Sequence, residues 1–269
     1  MDYAIFAAAI LAIGAGAGVL AGLLGVGGGI VLVPAFFYAF AGLGFGGPDI
    51  MRVCVATSLA TIVVTSIRSV LSHRRKGSVD MEVLRRWAPG IVVGALGGTA
   101  LATVLDTRGL QVIFAVLAIV VSLYMAFGTA GFRFGPQMPK GIERAFASTV
   151  IGMLSTLMGI GGGSLGVPTM SLYGMPIHRA VGTAAGFGLA IAVPSTLGFL
   201  LAPADGAPPF TVGSVNLPAF GLVIAMTLLT TPLGVELAHR MNPAPLKRVF
   251  AGFLFLVAIN MGAEASGLI

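Results

Sequence analysis

A glycine motif occurs twice within apolar sequence, as GVGGGIVLVP at 25–34 and as GIGGGSLGVP at 159–168, and no other feature limits the folding of this chain so sharply. Clustered glycines interrupt helices and leave backbone N–H groups unpaired, which hydrocarbon tolerates only where protein or a ligand covers them. Each copy therefore predicts buried, irregular backbone. The composition says that the surroundings are hydrocarbon: apolar residues make up 57%, charged residues 9%, and the mean hydropathy is +1.02. A soluble domain carries about a quarter charged residues. Long apolar stretches separated by short polar ones predict an all-α polytopic membrane protein. They are too long and too evenly apolar for the alternating strands of a membrane barrel, and they leave no room for a separate soluble domain.

The N-terminal MDYAIFAAAILAIG has no basic leading region and runs on toward the first glycine motif, so it reads as a first membrane segment rather than a cleaved leader. The single cysteine, Cys54, has no partner for an intramolecular disulfide and reads as helix packing.

The duplication extends beyond the glycines. GSVD at 77–80 matches GSVN at 213–216, an offset of 136 residues, and at that offset Leu101 meets Leu237, Leu110 meets Leu246 and Phe114 meets Phe250. The glycine motifs align at an offset of 134, and Thr57 aligns with Thr183 at 126. The pattern divides the chain into a first membrane repeat at 1–131, a linker at 132–143 and a second membrane repeat at 144–269. Each repeat holds five apolar segments, near 4–24, 30–45, 53–72, 87–105 and 109–130, and near 144–158, 164–175, 180–202, 217–238 and 244–262.

Basic residues orient these segments, because short cytoplasmic loops collect Lys and Arg. Arg74, Arg75, Lys76, Arg85 and Arg86 put the third-to-fourth connection of the first repeat inside, whereas the matching 203–216 has no Lys or Arg. The next pair of loops switches the other way, with Arg108 alone in the first repeat and Arg240, Lys247 and Arg248 in the second. Arg133, Lys140 and Arg144 make the linker cytoplasmic. Corresponding loops thus fall on opposite sides, as inverted-topology repeats with an odd number of crossings require, and both termini are expected outside. This bias accounts for the net charge of +6 without a nucleic-acid partner.

Segments 144–158 and 164–175 are about 21 Å and 18 Å long as helices, against a hydrocarbon core of about 30 Å. Each is expected to be a short broken or re-entrant helix, the pair forming a hairpin with the glycine motif at its mid-membrane tip and Pro168 inside the returning helix. If both tips reach the midplane from opposite faces, Gly27, Gly28 and Gly29 meet Gly161, Gly162 and Gly163 on the pseudo-two-fold axis. A glycine turn opening into a helix presents free N–H groups and the positive end of the helix dipole, which favour an anion.

The paired G-x-G-G-G-x-x-x-V-P motifs, followed by A-T-S at 56–58 and G-T-A at 182–184, resemble the TauE/SafE sulfite exporter family of membrane permeases (4-toluene sulfonate uptake permease-like) over nearly the whole chain. The resemblance implies a multi-pass protein of a bacterial-type inner membrane, a secondary transporter that exports or takes up small sulfur-containing anions such as sulfite, sulfoacetate or other organosulfonates. It leaves the substrate within that class, the direction and the coupling ion, proton or sodium, open, as it does a homo-oligomer.

Beside the glycines, the hydroxyls of Thr57, Ser58, Thr61, Ser164 and Thr183 are candidate donors to a sulfonate or sulfite oxygen, although membrane Ser and Thr also bond their own helix carbonyls. Glu236 is the candidate for proton coupling, with an ion pair to Arg240 four residues on as the structural alternative. Arg52 and Arg179, near the starts of the third segments, read either as attractors of anions or as cations reaching the interface. Asn260 reads as a substrate ligand or a bridge between helices, and single glycines such as Gly94, Gly97 and Gly98 read as helix packing. The glycine motif lacks the Lys-Ser/Thr of a P-loop, and no His, Cys and carboxylate cluster has metal-ligand spacing. Those patterns disfavour an enzyme or primary pump and call for no cofactor or metal. Two alternatives stay open on sequence: an anion channel using the same glycine dipoles, and a non-transporting structural subunit of a membrane assembly.

Overall fold

The computed structural model describes residues 3–24, 29–127, 135, 137–240 and 243–268. Gly27 and Gly28, and the greater part of the region joining the two halves, lie outside the described residues. Within them the chain forms ten helices and one small hairpin: α1 (Tyr3–Leu24), α2 (Gly29–Gly42), α3 (Ile50–Arg75), α4 (Met81–Val104), α5 (Thr107–Phe127), α6 (Gly141–Leu157), α7 (Gly162–Leu172), α8 (Ile177–Leu200), β1 (Thr211–Val212), β2 (Val215–Asn216), α9 (Leu217–Arg240) and α10 (Pro243–Ser266). Among the described residues five stretches are long and apolar enough to cross a membrane: Ile50–Arg75, Met81–Val104, Thr107–Phe127, Ile177–Leu200 and Arg248–Ser266.

Several helices begin before the apolar segments that announced them, and in α4 a polar cap accounts for the extension. Asp80 accepts from the N–H groups of Glu82 and Val83, so α4 starts at Met81 although its apolar run starts near Trp87. Glycines end helices in the same way in both halves. After α2, Gly44 at φ +85° donates to Ala41 and Phe45 donates to Phe40; after α7, Gly174 at φ +80° donates to Ser171 and Met175 donates to Met170. The bonds repeat one for one at an offset of 130 residues, and both glycines occupy the left-handed region that other residues avoid.

Each half packs chiefly into the other. The first helix of each half lies against the fourth helix of the other, α1 against α9 and α6 against α4, while α3 packs on α8 and α5 on α10. Glycines make the first two pairings close. A methyl placed on Gly94 would overlap the Thr149 carbonyl, and one placed on Gly98 would lie 2.8 Å from the Met153 oxygen. Gly97, one residue away, faces open space, so of the three glycines read as packing only Gly94 and Gly98 touch a neighbour. In hydrocarbon such small-residue contacts hold helices by close van der Waals approach, since lipid supplies no hydrophobic drive between them.

The contacts also fix relative direction. Gly90 and Gly98 face Ser148 and Thr156, so α4 and α6 are parallel; Gly14 and Gly18 face Val223 and Thr227, so α1 and α9 are parallel. Ser66 of α3 touches Gly188 of α8, and Ser78, just beyond the C-terminus of α3, lies against Gly182 near the start of α8, which makes that pair antiparallel. Gly262 and Gly267 lie by Ala115 and Arg108, making α5 and α10 antiparallel.

The bundle has a basic and an acidic end. Arg74, Arg75, Lys76, Arg85, Arg86, Lys140, Arg144 and Arg179 gather at the first, where Asp80 bonds Arg179. Asp49, Asp106 and Asp205 lie at the second, joined by Thr107 N–H to Pro48 and by Asp205 N–H to Asp49. The interior between them is apolar, with Trp87 of α4 stacked on Phe187 of α8 at 5.9 Å.

Candidate functional site

α6 runs parallel to α4 until Thr156 lies beside Gly98. There the backbone turns: Gly159, at φ +64°, donates to Thr156, and Ile160 donates to Ser155. α7 then starts at Gly162, wedged against Ala184, Phe187 and Gly188 in the middle of α8, and returns antiparallel to α8 toward the basic end. The hairpin thus enters and leaves at the same end. From the acidic end α2 does the mirror of this. Its first residue, Gly29, lies beside Ile62 at the middle of α3, and the chain leaves it for the α3 N-terminus.

The two motifs touch. A methyl on Gly29 would lie 2.9 Å from the Gly159 oxygen and 3.2 Å from the Ile160 Cα, and one on Gly159 would lie 2.6 Å from Val33. No side chain fits on either backbone at this crossing. Ser58 fixes it in place by donating from Oγ to the Gly159 carbonyl at 2.7 Å.

The first turn of α7 has the chemistry of an anion cradle. Its N-cap, Gly161, is extended at φ −80° and ψ 177° and has no side chain with which to cap. The N–H groups of Gly162, Gly163 and Ser164 have no carbonyl within the helix to bond, and the helix dipole adds partial positive charge there. Gly161, Gly162 and Ser164 are buried. The hydroxyls of Ser164 and Ser155 are buried without a hydrogen-bond partner among the described residues. Sequence reading singled out Ser164 but missed Ser155, which sits in the helix before the motif and carries no local signal.

Thr57 and Thr183 do not join this turn directly. Thr57 Oγ1 accepts the Asn216 N–H at 3.0 Å, and Thr183 Oγ1 accepts the Asp80 N–H at 2.9 Å. Both threonines are fully buried. Thr61 Oγ1 bonds its own helix at the Ser58 carbonyl. Arg52 is a buried structural cation: its guanidinium bonds Asp49 at 2.6 Å, the Pro203 carbonyl at 2.7 Å and the Thr103 carbonyl at 3.0 Å. At 6% exposure it does not face an open vestibule. Arg179 is half-exposed and pairs with Asp80 at 2.9 Å.

Glu236 is exposed and lines a cavity of about 330 Å³ between α1 and α9, with Val19, Leu233 and Leu237 beside it among the described residues. Asn260 bridges helices, accepting from the Tyr38 hydroxyl at 2.7 Å.

The sulfite exporter TauE/SafE family model matches residues 10–261. The chain belongs to that family. Among curated relatives it is 31% identical to a probable membrane transporter protein of Haemophilus influenzae, over 93% of this chain and 96% of that protein. It is 25% identical to a second of the same description from Methanocaldococcus jannaschii, over 91% of each. A Bacillus subtilis probable membrane transporter protein is 29% identical over 61% of this chain and 66% of its own length. No solved structure matches.

Proposed function

We propose that this protein is a secondary transporter of small sulfur-containing anions, such as sulfite, sulfoacetate or other organosulfonates, and that it works by alternating access. One observation carries the reading: two glycine hairpins enter from opposite ends and touch halfway along α3 and α8, beside the uncapped, buried first turn of α7. A helix N-terminus in partly buried geometry favours an anion by up to about 2 kcal/mol, and the unpartnered hydroxyls of Ser155 and Ser164 add donors suited to a sulfonate or sulfite oxygen. The substrate lies against Gly161, Gly162, Gly163 and Ser164, with Gly29 of the other motif on the far side.

The relative helix directions support reading the halves as inverted repeats, since α3 opposes α8 and α5 opposes α10 while the first and fourth helices exchange partners. The basic end is cytoplasmic by the positive-inside rule, which places both termini outside an inner membrane. For Glu236 to have a coupling role, a proton must cross between α1 and α9, where its cavity lies.

Flux into proteoliposomes tests the reading, with sulfite, thiosulfate, sulfoacetate, sulfate and acetate, each with and without a pH gradient. Saturable flux of a sulfur anion is expected. Ser164→Ala should raise its KM about tenfold, the loss of one hydrogen bond to a charged group. Folded protein that carries no member of the panel removes the sulfur-anion assignment.

A further inference from the structure

The motif G-S-V followed by Asp or Asn occurs twice, and the structure gives both copies one task. Gly77 and Gly213 are left-handed, at φ +65° and +58°, and each turns the chain into a polar residue that begins a fourth helix. Asp80 caps α4 through Glu82 and Val83, and Asn216 caps α9 through Ala219. A capping residue uses its side chain as acceptor, and its own N–H still needs a partner. In both copies that partner is a threonine of the opposite half: Thr183 takes the Asp80 N–H and Thr57 takes the Asn216 N–H. Thr57 and Thr183 are themselves the matched residues of the two repeats. The contact is therefore made twice, each time between the third helix of one half and the fourth helix of the other.

The two contacts lie on either side of the glycine crossing. Since Ser66 faces Gly188 on antiparallel helices, Thr183 is level with residue 71 of α3, about 21 Å from Thr57 at 1.5 Å per residue. Gly29 and Gly161 contact Ile62, between those two levels. Each contact has an ion pair nearby: Arg52 with Asp49 at the acidic end, and Arg179 with Asp80 itself at the basic end. At the basic end the approach is also steric, because a methyl on Gly182 would lie 2.5 Å from the Ser78 oxygen.

We propose that the Thr57–Asn216 and Thr183–Asp80 hydrogen bonds are the two end gates of the transport path, each holding its own end shut, so that one can release while the other stays closed. Thr57 and Thr183 are then positioning residues that govern access to the glycine crossing and do not touch the substrate. The term gate rests on the alternating-access reading above, but the test needs no substrate.

The reporter is Ser164→Cys in a Cys54→Ala background, labelled by a membrane-impermeant maleimide in right-side-out and in inside-out vesicles. Thr57→Val should raise the labelling rate from the acidic end about fivefold, the population shift that one lost hydrogen bond of ordinary strength produces, and leave the basic end unchanged. Thr183→Val should do the reverse, and Thr57→Ser and Thr183→Ser, which keep the acceptor, should label as the parent does. Should either valine variant fail to fold, Thr57→Cys with Asn216→Cys reverses the perturbation: oxidation should block labelling from the acidic end only, and reductant should restore it. Unchanged labelling in folded valine variants, or labelling raised from the same end by both, overturns the proposal. Side-specific labelling in a protein that carries no sulfur anion would retain the gates and remove the substrate assignment.

Discussion

Two adjacent glycines of the second motif should respond unequally to the same substitution. In Gly162→Ala the new methyl would lie 2.5 Å from the Ala184 oxygen, 2.5 Å from the Phe187 Cβ and 2.7 Å from the Gly188 nitrogen. Carbon contacts are comfortable at about 3.5–4.0 Å, so α7 must move from α8 by on the order of 1 Å. Two of the three atoms are backbone, and no rotamer change relieves them. Overpacking of this kind costs about 1–3 kcal/mol, while the preference of a helix for Ala over Gly returns at most about 1 kcal/mol, so the clash wins. In Gly161→Ala the methyl meets only the Ile62 Cγ2 at 3.4 Å, an ordinary contact, and the extended backbone at φ −80° suits any residue. Thermal unfolding of the purified protein in detergent should therefore show Gly161→Ala near the parent and Gly162→Ala lower, by about 2–4 °C for each kcal/mol lost. Equal midpoints, or a lower midpoint for Gly161→Ala, would refute the placement of α7 against α8.

The same assay separates the two arginines. Arg52→Met leaves Asp49 partly buried without its cation and removes the link to Pro203 and Thr103, which should cost about 3 kcal/mol or more, whereas Arg179→Met breaks a half-exposed pair worth less than about 1 kcal/mol. On α4, Gly94→Ala should drive α4 from α6 and lower the midpoint, while Gly97→Ala, facing open space, should leave it unchanged or slightly raised.

Much of the architecture can be read from local pattern. The ten apolar segments foresaw ten helices, while the short spans around the second motif left open whether that pair crosses twice or only dips. Helix ends were less legible, because hydropathy marks where a helix becomes apolar and not where it is capped: Asp80 starts α4 six residues before Trp87 begins the apolar run. At the site, Gly161, Gly162 and Ser164 were visible because backbone breaks in hydrocarbon must be covered. Ser155 was not, since its burial and lack of partner depend on the helices around it.

Arg52 shows where local reading stops. An arginine at the start of an apolar run reads as surface chemistry, yet here its partners come from residues 49, 103 and 203, and only folding assembles them. Thr57 and Thr183 read as candidate donors to the substrate, and their acceptor role appeared only when the opposite half supplied Asn216 and Asp80. Composition, glycine spacing and internal repetition are properties of neighbours along the chain, so the sequence by itself determined the membrane class, the number of helices and the positions of the breaks. Which helices pair and which polar groups satisfy one another depend on residues 50 to more than 150 positions apart, and the tertiary structure alone decided them.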